Sequence, residues 1–360
     1  DLWRQVRLPV AVPKEGKGRL NQLTQTPAAS NATSATPSNA GEGPDTGTLP
    51  AELTVIMVSY NTRDLTLAAL RTLYETTKRT RFHTVVYDND SKDGSVEAIA
   101  AEFPQVELIA STDNLGFARA NNVVAADAGT EWLLLLNPDT ECHPGAIDNL
   151  MDFSRAHPEA GITGGRTVFP DGRLNIASCW RRMTLWSLFT ASVGLLAAFP
   201  KSSFFNPEAM PDWKRDSVRE VDIVVGCLLM IRRELWNELG GFDLRYFMYG
   251  EEADLCARAR RMGYRPMVTP DAEIMHIVGA ASNSLARKRI PLTKARVTLM
   301  RDHWPRWQVP IGLGLFWFST AQRLLAATVM NKLRPSEKSR SRKSLWDDMW
   351  KSRADWLRGY

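Results

Sequence analysis

Two groups of acidic side chains in this chain stand where chemistry could use them. The first closes the stretch Glu131-Trp132-Leu133-Leu134-Leu135-Leu136-Asn137-Pro138-Asp139. Its continuous apolar run is too short for a globular helix and suits a strand buried on both faces. Pro138 lacks an N–H and ends the ladder, leaving the Asp139 carboxylate at the strand's carboxyl end. Open α/β sheets bind their ligands there. The second group, Gly250-Glu251-Glu252-Ala253-Asp254, follows more than a hundred residues later. Together they predict one acid for a metal and another for removing a proton. Taken singly, each has a plainer reading: a turn after a strand, and the acidic first turn of a helix from Glu251 to Met262.

Mg²⁺ or Mn²⁺ takes one or two protein carboxylates and completes its shell with phosphates and water. Asp139 beside the neutral Asn137 therefore suits a cation that arrives with a diphosphate. His276, in Ile274-Met275-His276-Ile277, offers a nitrogen ligand that would tilt the choice toward Mn²⁺, although a lone histidine in an apolar strand is more often a satisfied core residue. A general base must be ionised and within reach of its proton, and crowding three acids raises the pKa of at least one. Asp88-Asn89-Asp90-Ser91 can hydrogen-bond a nucleobase or ribose, or simply make a turn. Asn114-Leu115-Gly116-Phe117-Ala118-Arg119 puts a glycine at a helix start, where backbone N–H groups suit phosphate oxygens. The chain contains no GxGxxG and no Walker loop, which argues against dinucleotide oxidoreductases and P-loop NTPases.

The surrounding pattern predicts the elements that hold these groups. Strands are expected at Leu53–Ser59, Thr84–Tyr87, Val106–Ile109 and Leu133–Leu136. Helices are expected at Asp64–Lys78, Ser95–Phe103 and Gly116–Ala128. This alternation calls for a parallel sheet with right-handed crossovers, its binding edge formed by the strand carboxyl ends. Further on, Val221–Gly226 and Leu228–Ile231 read as strands and Arg233–Leu239 as a helix capped by Gly240-Gly241. Thr184–Phe199, an uncharged run of 16 residues, is short of the roughly 20 that span a bilayer. It reads as a core helix or as a segment dipping into a membrane interface. Ile311–Met330 is apolar but interrupted by Gln322 and Arg323, which argues against a membrane-crossing helix.

The 360 residues allow one large domain or two ordinary ones, and 44% apolar residues suffice for a full core. Net charge is +5, unevenly spread. From Arg287 to Tyr360 there are 17 Lys+Arg and 5 Asp+Glu, a balance of +12, so the remainder carries −7. Six of the 12 tryptophans lie in that tail: Trp304, Trp307, Trp317, Trp346, Trp350 and Trp356. Aromatics among cations suit an anionic membrane interface, and nothing else favours nucleic acid. Four scattered cysteines read as reduced core thiols, which fits a cytoplasmic location. No export signal is visible, but the chain opens at Asp1, which fits a fragment or a processed chain and gives that absence little weight. Leu20–Pro50, rich in Thr, Ser, Ala, Pro and Gly, reads as a flexible linker. Three regions are thus expected: a disordered segment over 1–50, a globular domain over 51–286, and a basic, aromatic helical region over 287–360.

Six strings in order, VIMVSYN, YDNDSKDGS, DNLGFARANN, LLLLNPD, VVGCLLMIRRELWNELGGFDLRYFMYGEEADLCARARRMGY and HIVGAAS, resemble family 2 glycosyltransferases of the GT-A fold, and more narrowly their rhamnosyltransferase-like branch. The resemblance spans roughly Leu53 to Ser282. It implies a Rossmann-like, mostly parallel sheet and inverting transfer from a nucleotide-diphosphate sugar, with L-rhamnose from dTDP-L-rhamnose as the first choice. It further implies Mn²⁺ or Mg²⁺ as cofactor and a lipid-linked or polysaccharide acceptor, with the protein peripheral on the inner face of the cytoplasmic membrane. By the same resemblance Asp139 and His276 would hold the metal, and Ser59, Asn61, Asp88, Asn89 and Asp90 would line the nucleoside pocket. Asn114, Gly116 and Arg119 would lie near the sugar or diphosphate. Asn137, Gly226, Glu251 and Asp254 would complete the substrate site, and Glu252 would be the base. Two departures stand out: Asn137 replaces the first acid of the Asp-X-Asp motif, and Glu252 replaces the usual aspartate. They keep alive an alternative, a catalytically silent scaffold that retains the sugar-nucleotide pocket. A sugar-phosphate nucleotidyltransferase would share the sheet but needs a Gly-rich basic loop after the first strand, and Val58-Ser59-Tyr60-Asn61 is not one.

Overall fold

A computed structural model of the chain describes residues 50–277 and 285–360, with side chains from residue 289 onward in the second stretch. The expected disordered segment over 1–50 and the end of the HIVGAAS string lie outside the described residues.

The first half follows the predicted alternation: β1 (Leu53–Ser59), α1 (Arg63–Thr76), β2 (Phe82–Asp88), α2 (Ser95–Glu102), β3 (Glu107–Ala110), α3 (Gly116–Asp127) and β4 (Trp132–Leu136). β1 pairs in parallel with both β2 and β4, and β2 with β3. Beyond β4 the sheet becomes mixed. After β5 (Thr140–Cys142), α4 (Ala146–Ala156) and β6 (Ile162–Val168) come four two-residue strands: β7 (Leu174–Asn175), β8 (Cys179–Trp180), β9 (Arg219–Glu220) and β10 (Ile223–Val224). β11 (Leu228–Arg232) runs antiparallel to β4, and β12 (Met267–His276) antiparallel to β5. The main path is β3-β2-β1-β4-β11-β6-β12-β5.

All five residues of β4 are buried, because the sheet is covered on both faces. Leu134 and Leu136 join the core shared with α1 and α4, whereas Leu133 and Leu135 join the one shared with α3, α7 (Arg233–Leu239) and α8 (Glu251–Arg261). Gly240 caps α7 in the left-handed conformation, as its position predicts. The four cysteines are free and buried.

Two expectations are corrected. Val221–Gly226 contributes only a two-residue strand, because Val225 and Gly226 turn the chain into β11. Thr184–Phe199 is not a core helix. Gly194, in the left-handed region, splits it into α5 (Leu185–Ser192) and α6 (Leu195–Ala198), and Trp186, Phe189, Val193 and Phe199 are exposed. The remaining helices are α9 (Leu285–His303), α10 (Gln308–Leu333), α11 (Glu337–Lys351) and α12 (Arg353–Arg358). Among the described residues no helix is long and apolar enough to cross a membrane. Of the six tail tryptophans, Trp346 and Trp356 are core residues, whereas Trp307 and Trp317 are exposed.

Candidate functional site

The sheet's carboxyl edge gathers the singled-out residues in three groups. The first is metal-like. Asp139 follows β4 directly, and β5 then pairs with β12 in a register that sets Thr140 opposite His276. The backbone carbonyl of Asp139 accepts from the Ile277 N–H at 2.9 Å, and its Oδ1 lies 3.3 Å from His276 Nε2. His276 Nδ1 is buried with no hydrogen-bond partner among the described residues. Burial disfavours the imidazolium, but the neighbouring Cys227 and Asp139 outweigh it and lift the His276 pKa to about 10. A cation arriving between the two side chains would have to displace that proton. Among the described residues no three His, Cys, Asp or Glu side chains form a metal cluster. Asp139 and His276 therefore fit a cation completed by substrate phosphate and water. Asn137, whose N–H donates to the Cys227 carbonyl, holds the turn before Asp139.

The second group surrounds the ends of β1 and β2. Asp88 is buried; its Oδ1 accepts from the Ser91 N–H at 2.8 Å, while its Oδ2 has no partner among the described residues. An unpaired buried carboxylate oxygen is costly unless something else meets it, so Asp88 is the residue here best placed for a ligand donor. The neighbours have other duties. The Ser59 hydroxyl is fully buried against Thr62 and Thr66. Asn89 accepts from the Leu115 N–H at 3.1 Å and donates to the Gly116 carbonyl, tying β2 to the start of α3. Asn61, at φ 51°, accepts from the Lys92 N–H at 2.7 Å, and Asp90, at φ 68°, pairs with the Lys92 ammonium. Ser59 and Asn89 thus position the loops, whereas Asn61 and Asp90 shape their rims.

The third group is the acidic helix start. Gly116 and Gly250 are both left-handed, and both are hemmed in by one loop. A Cβ on Gly116 would stand 3.0 Å from the Phe247 carbonyl, and one on Gly250 would stand 3.1 Å from the Tyr246 ring. The loop before α8 therefore packs onto the first turn of α3, where Asn114 accepts from the Gly116 N–H and Arg119 is exposed. On the other side, a Cβ on Gly226 would meet the Phe117 ring at 3.2 Å. Tyr249 adopts φ 73°, a costly conformation for an aromatic residue and one concentrated at functional sites.

Glu251, Glu252 and Asp254 occupy the first turn of α8, where the helix dipole favours negative charge. Their environments differ. Burial, then the charge of Glu252, raises the Glu251 pKa well above the carboxylate range. Glu252 is raised by burial and partly restored by the backbone N–H groups of Glu252 and Gly250. Each has an Oε2 buried without a partner among the described residues. The two titrate as a pair, and Glu252 is the member better able to ionise and take a proton. Asp254 is fully engaged: its Oδ2 accepts from Arg258 Nε at 2.7 Å, and its Oδ1 lies 2.8 Å from His303 Nε2. Oδ1 thus ties α8 to α9, while Oδ2 is held by Arg258 of α8 itself, so within the chain both oxygens already have partners. His303, Tyr246 and Tyr249 were not singled out in the sequence. An aromatic-rich loop ahead of an acidic helix start was the only signal.

Similarity to known proteins agrees with this geometry. The family model "Glycosyl transferase family 2" matches residues 54–239, just over half of the chain. An N-acetylglucosaminyl-diphospho-decaprenol L-rhamnosyltransferase of Mycobacterium tuberculosis is 33% identical over 201 residues, covering 52% of this chain and 64% of that protein. The O-antigen biosynthesis protein RfbC of Myxococcus xanthus is 25% identical over 267 residues, 71% of this chain and 19% of that protein. The chain thus spans less than two thirds of the length of either relative. A mannosyltransferase from Pyrobaculum calidifontis, solved with GDP-Man and Mn²⁺, shares the fold with a TM-score of 0.52 at 20% identity, over 86% of this chain and 88% of that one. GalNAc-T7, solved with UDP, GalNAc and Mn²⁺, does so with a TM-score of 0.51 at 16% identity, over 85% of this chain and 57% of that one. The chain belongs to glycosyl transferase family 2, with a GT-A fold and rhamnosyltransferase-like relatives.

Proposed function

We propose that this chain is an inverting, metal-dependent glycosyltransferase that moves a sugar from a nucleotide-diphosphate donor to a hydroxyl of a lipid-linked or polysaccharide acceptor. L-rhamnose from dTDP-L-rhamnose is the first candidate donor, supported by the mycobacterial relative's name and by the Asn137-Pro138-Asp139 motif. One observation carries the reading: Asp139 and His276, far apart in sequence, meet at 3.3 Å on the binding edge of the sheet. The neighbours solved with Mn²⁺ support the same cation here. Asp88 is the donor-side carboxylate that would meet the nucleoside. Asp139 and His276 would hold Mn²⁺ or Mg²⁺, which supplies positive charge to the departing diphosphate.

Glu252 accepts the proton of the acceptor hydroxyl through its carboxylate. The freed oxygen bonds to the anomeric carbon from the face opposite the diphosphate. The bond from that carbon to the diphosphate oxygen breaks, and the nucleoside diphosphate leaves with the electron pair. Burial and the neighbouring Glu252 carboxylate disfavour the charged form of Glu251, which favours a single negative charge on the pair. A lipid-linked acceptor brings the chain to the inner face of the cytoplasmic membrane, where the basic C-terminal region meets anionic lipid.

The test is binding and turnover across a panel of nucleotide sugars, with and without Mn²⁺. Metal-dependent turnover of one donor supports the reading and names the sugar. Donor binding without turnover, with lipid-linked acceptors supplied, overturns it in favour of a silent scaffold.

A further inference from the structure

Where α5 meets α10, the usual distribution of polarity is reversed. The side of α5 turned inward carries Ser187, Thr190 and Ser192 beside one large apolar residue, Leu188, while Trp186, Phe189 and, just past the helix, Val193 are exposed. α10 follows the same rule, burying Gly312, Ser319, Thr320 and Ala327. The helices join through polar groups. Ser192 Oγ donates to the Leu315 carbonyl at 3.2 Å, Arg323 donates to the Ala191 carbonyl at 3.0 Å, and Gln322 donates to the Ser192 carbonyl. Roughly a quarter turn around α10 from these contacts, Trp307 just before the helix and Ile311, Phe318, Leu325 and Val329 within it recur at intervals of four and seven, which keeps them on one face. Trp307 is 65% and Leu325 66% exposed, and Leu333 extends the row at 71%. Over 26 residues α10 carries this stripe about 39 Å. Small and polar groups between helices with large apolar groups outside is the arrangement that lipid, not water, favours. Isolated apolar residues on a surface need no explanation, but a contiguous row of this size does.

Charge indicates what covers it. No Asp or Glu occurs between Thr184 and Pro207, nor between Asp302 and Glu337. The cations there include the exposed Lys201, Arg306, Lys332 and Arg334. We propose that the outer faces of α5 and α10 together form the surface on which this protein lies on an anionic lipid bilayer. The apolar stripe enters the headgroup boundary and the flanking cations meet lipid phosphates. This deepens the membrane-acceptor reading above and rests on it, but it corrects which residues make contact. Trp346 and Trp356 serve the internal core, and the contact is made by Trp186, Phe189 and the α10 stripe.

The test is co-sedimentation of the full chain with vesicles of phosphatidylglycerol and phosphatidylcholine, against vesicles of phosphatidylcholine alone. The wild type should sediment with the anionic vesicles and release at high salt. Trp307→Ser, Phe318→Ser and Leu325→Ser together should weaken partitioning at least tenfold while leaving the thermal midpoint and nucleotide binding unchanged. Lys332→Gln with Arg334→Gln should weaken it severalfold on anionic vesicles only. Wild type that stays in the supernatant overturns the proposal, as does equal binding to neutral vesicles. So does a concentration-dependent dimer abolished by the triple variant, which would make the face a self-interface. Nucleotide binding is measured on the same samples without lipid, so loss of membrane binding and loss of the transferase reading are distinguishable.

Discussion

α8 and α10 illustrate two opposite uses of a helix in one chain. α8 packs its apolar side, Leu255, Cys256 and Ala259, into the sheet and brings unpaired acids to the ligand edge. α10 buries Gly312, Ser319, Thr320 and Ala327 and packs Phe316 and Leu324 on the C-terminal core, yet leaves Ile311, Phe318, Leu325 and Val329 outside. The first is a water-facing protein's solution, with buried polar groups confined to the place where a ligand can satisfy them. The second leaves a row of apolar side chains for something outside the chain to cover. His303, at the end of α9, links the two regions through its hydrogen bond to Asp254 at the start of α8. Holding the acidic helix is thus one task of the C-terminal helices, whatever the outer face of α10 touches.

Substitutions in both regions test this contrast. The largest effect is expected at the base. Glu252→Gln should lower transfer by about 10²–10⁴-fold, with nucleotide affinity nearly unchanged; steady-state turnover and calorimetric titration measure the two. A variant with intact turnover would remove Glu252 from the role. Asp139→Asn and His276→Ala should each weaken Mn²⁺ binding by at least about tenfold, read by electron paramagnetic resonance of free Mn²⁺ in the presence of nucleoside diphosphate.

Breaking the link between the two regions is next. His303→Ala leaves a buried carboxylate oxygen short of its partner and should cost about 1–3 kcal/mol in urea unfolding. If α9 also aligns α8, kcat should fall more than KM rises. Conversion of Glu251 to Gln tests the electrostatics of the pair. Its raised pKa means that the folded chain holds a proton the unfolded chain releases. The wild type therefore loses stability as pH rises above the ordinary glutamate value of about 4.3. Glu251→Gln should be more stable than wild type at pH 7 and no different below pH ~4, as thermal unfolding across pH would show. The smallest effect is expected at Gly116→Ala. A Cβ there meets the Phe247 backbone at φ 78°, so strain of about 1–2 kcal/mol should fall on the loop and appear as a higher donor KM.

The parallel half of the sheet was legible because local pattern and tertiary role agree. β1, α1, α3 and β4 were found within a few residues, since apolar periodicity marks elements buried on one or both faces. Asp139, His276 and Glu252 were legible as candidates through the motifs around them. Other readings depended on three-dimensional context. Ser59 and Asn89 are indistinguishable by type from ligand-binding residues, yet their polar atoms are used by neighbouring side chains and backbone. Asp254 stands in the same acidic turn as Glu252, but Arg258 and His303 engage both its oxygens.

The amino-acid sequence by itself determined the alternating strands and helices of the first half, the turn that puts Asp139 at a strand end, and the acidic first turn of α8. All three follow from interactions within a few residues: apolar period, proline and glycine conformation, and the helix dipole. Only the tertiary structure decided that Asp139 meets His276, which carboxylates stay unpaired, and which tryptophans lie inside. Those outcomes depend on strand register and helix packing between residues far apart in the chain. The tail's composition showed cations and tryptophans but not their direction. Packing against α5 and the C-terminal core buried two sides of α10 and left the row from Ile311 to Val329 exposed.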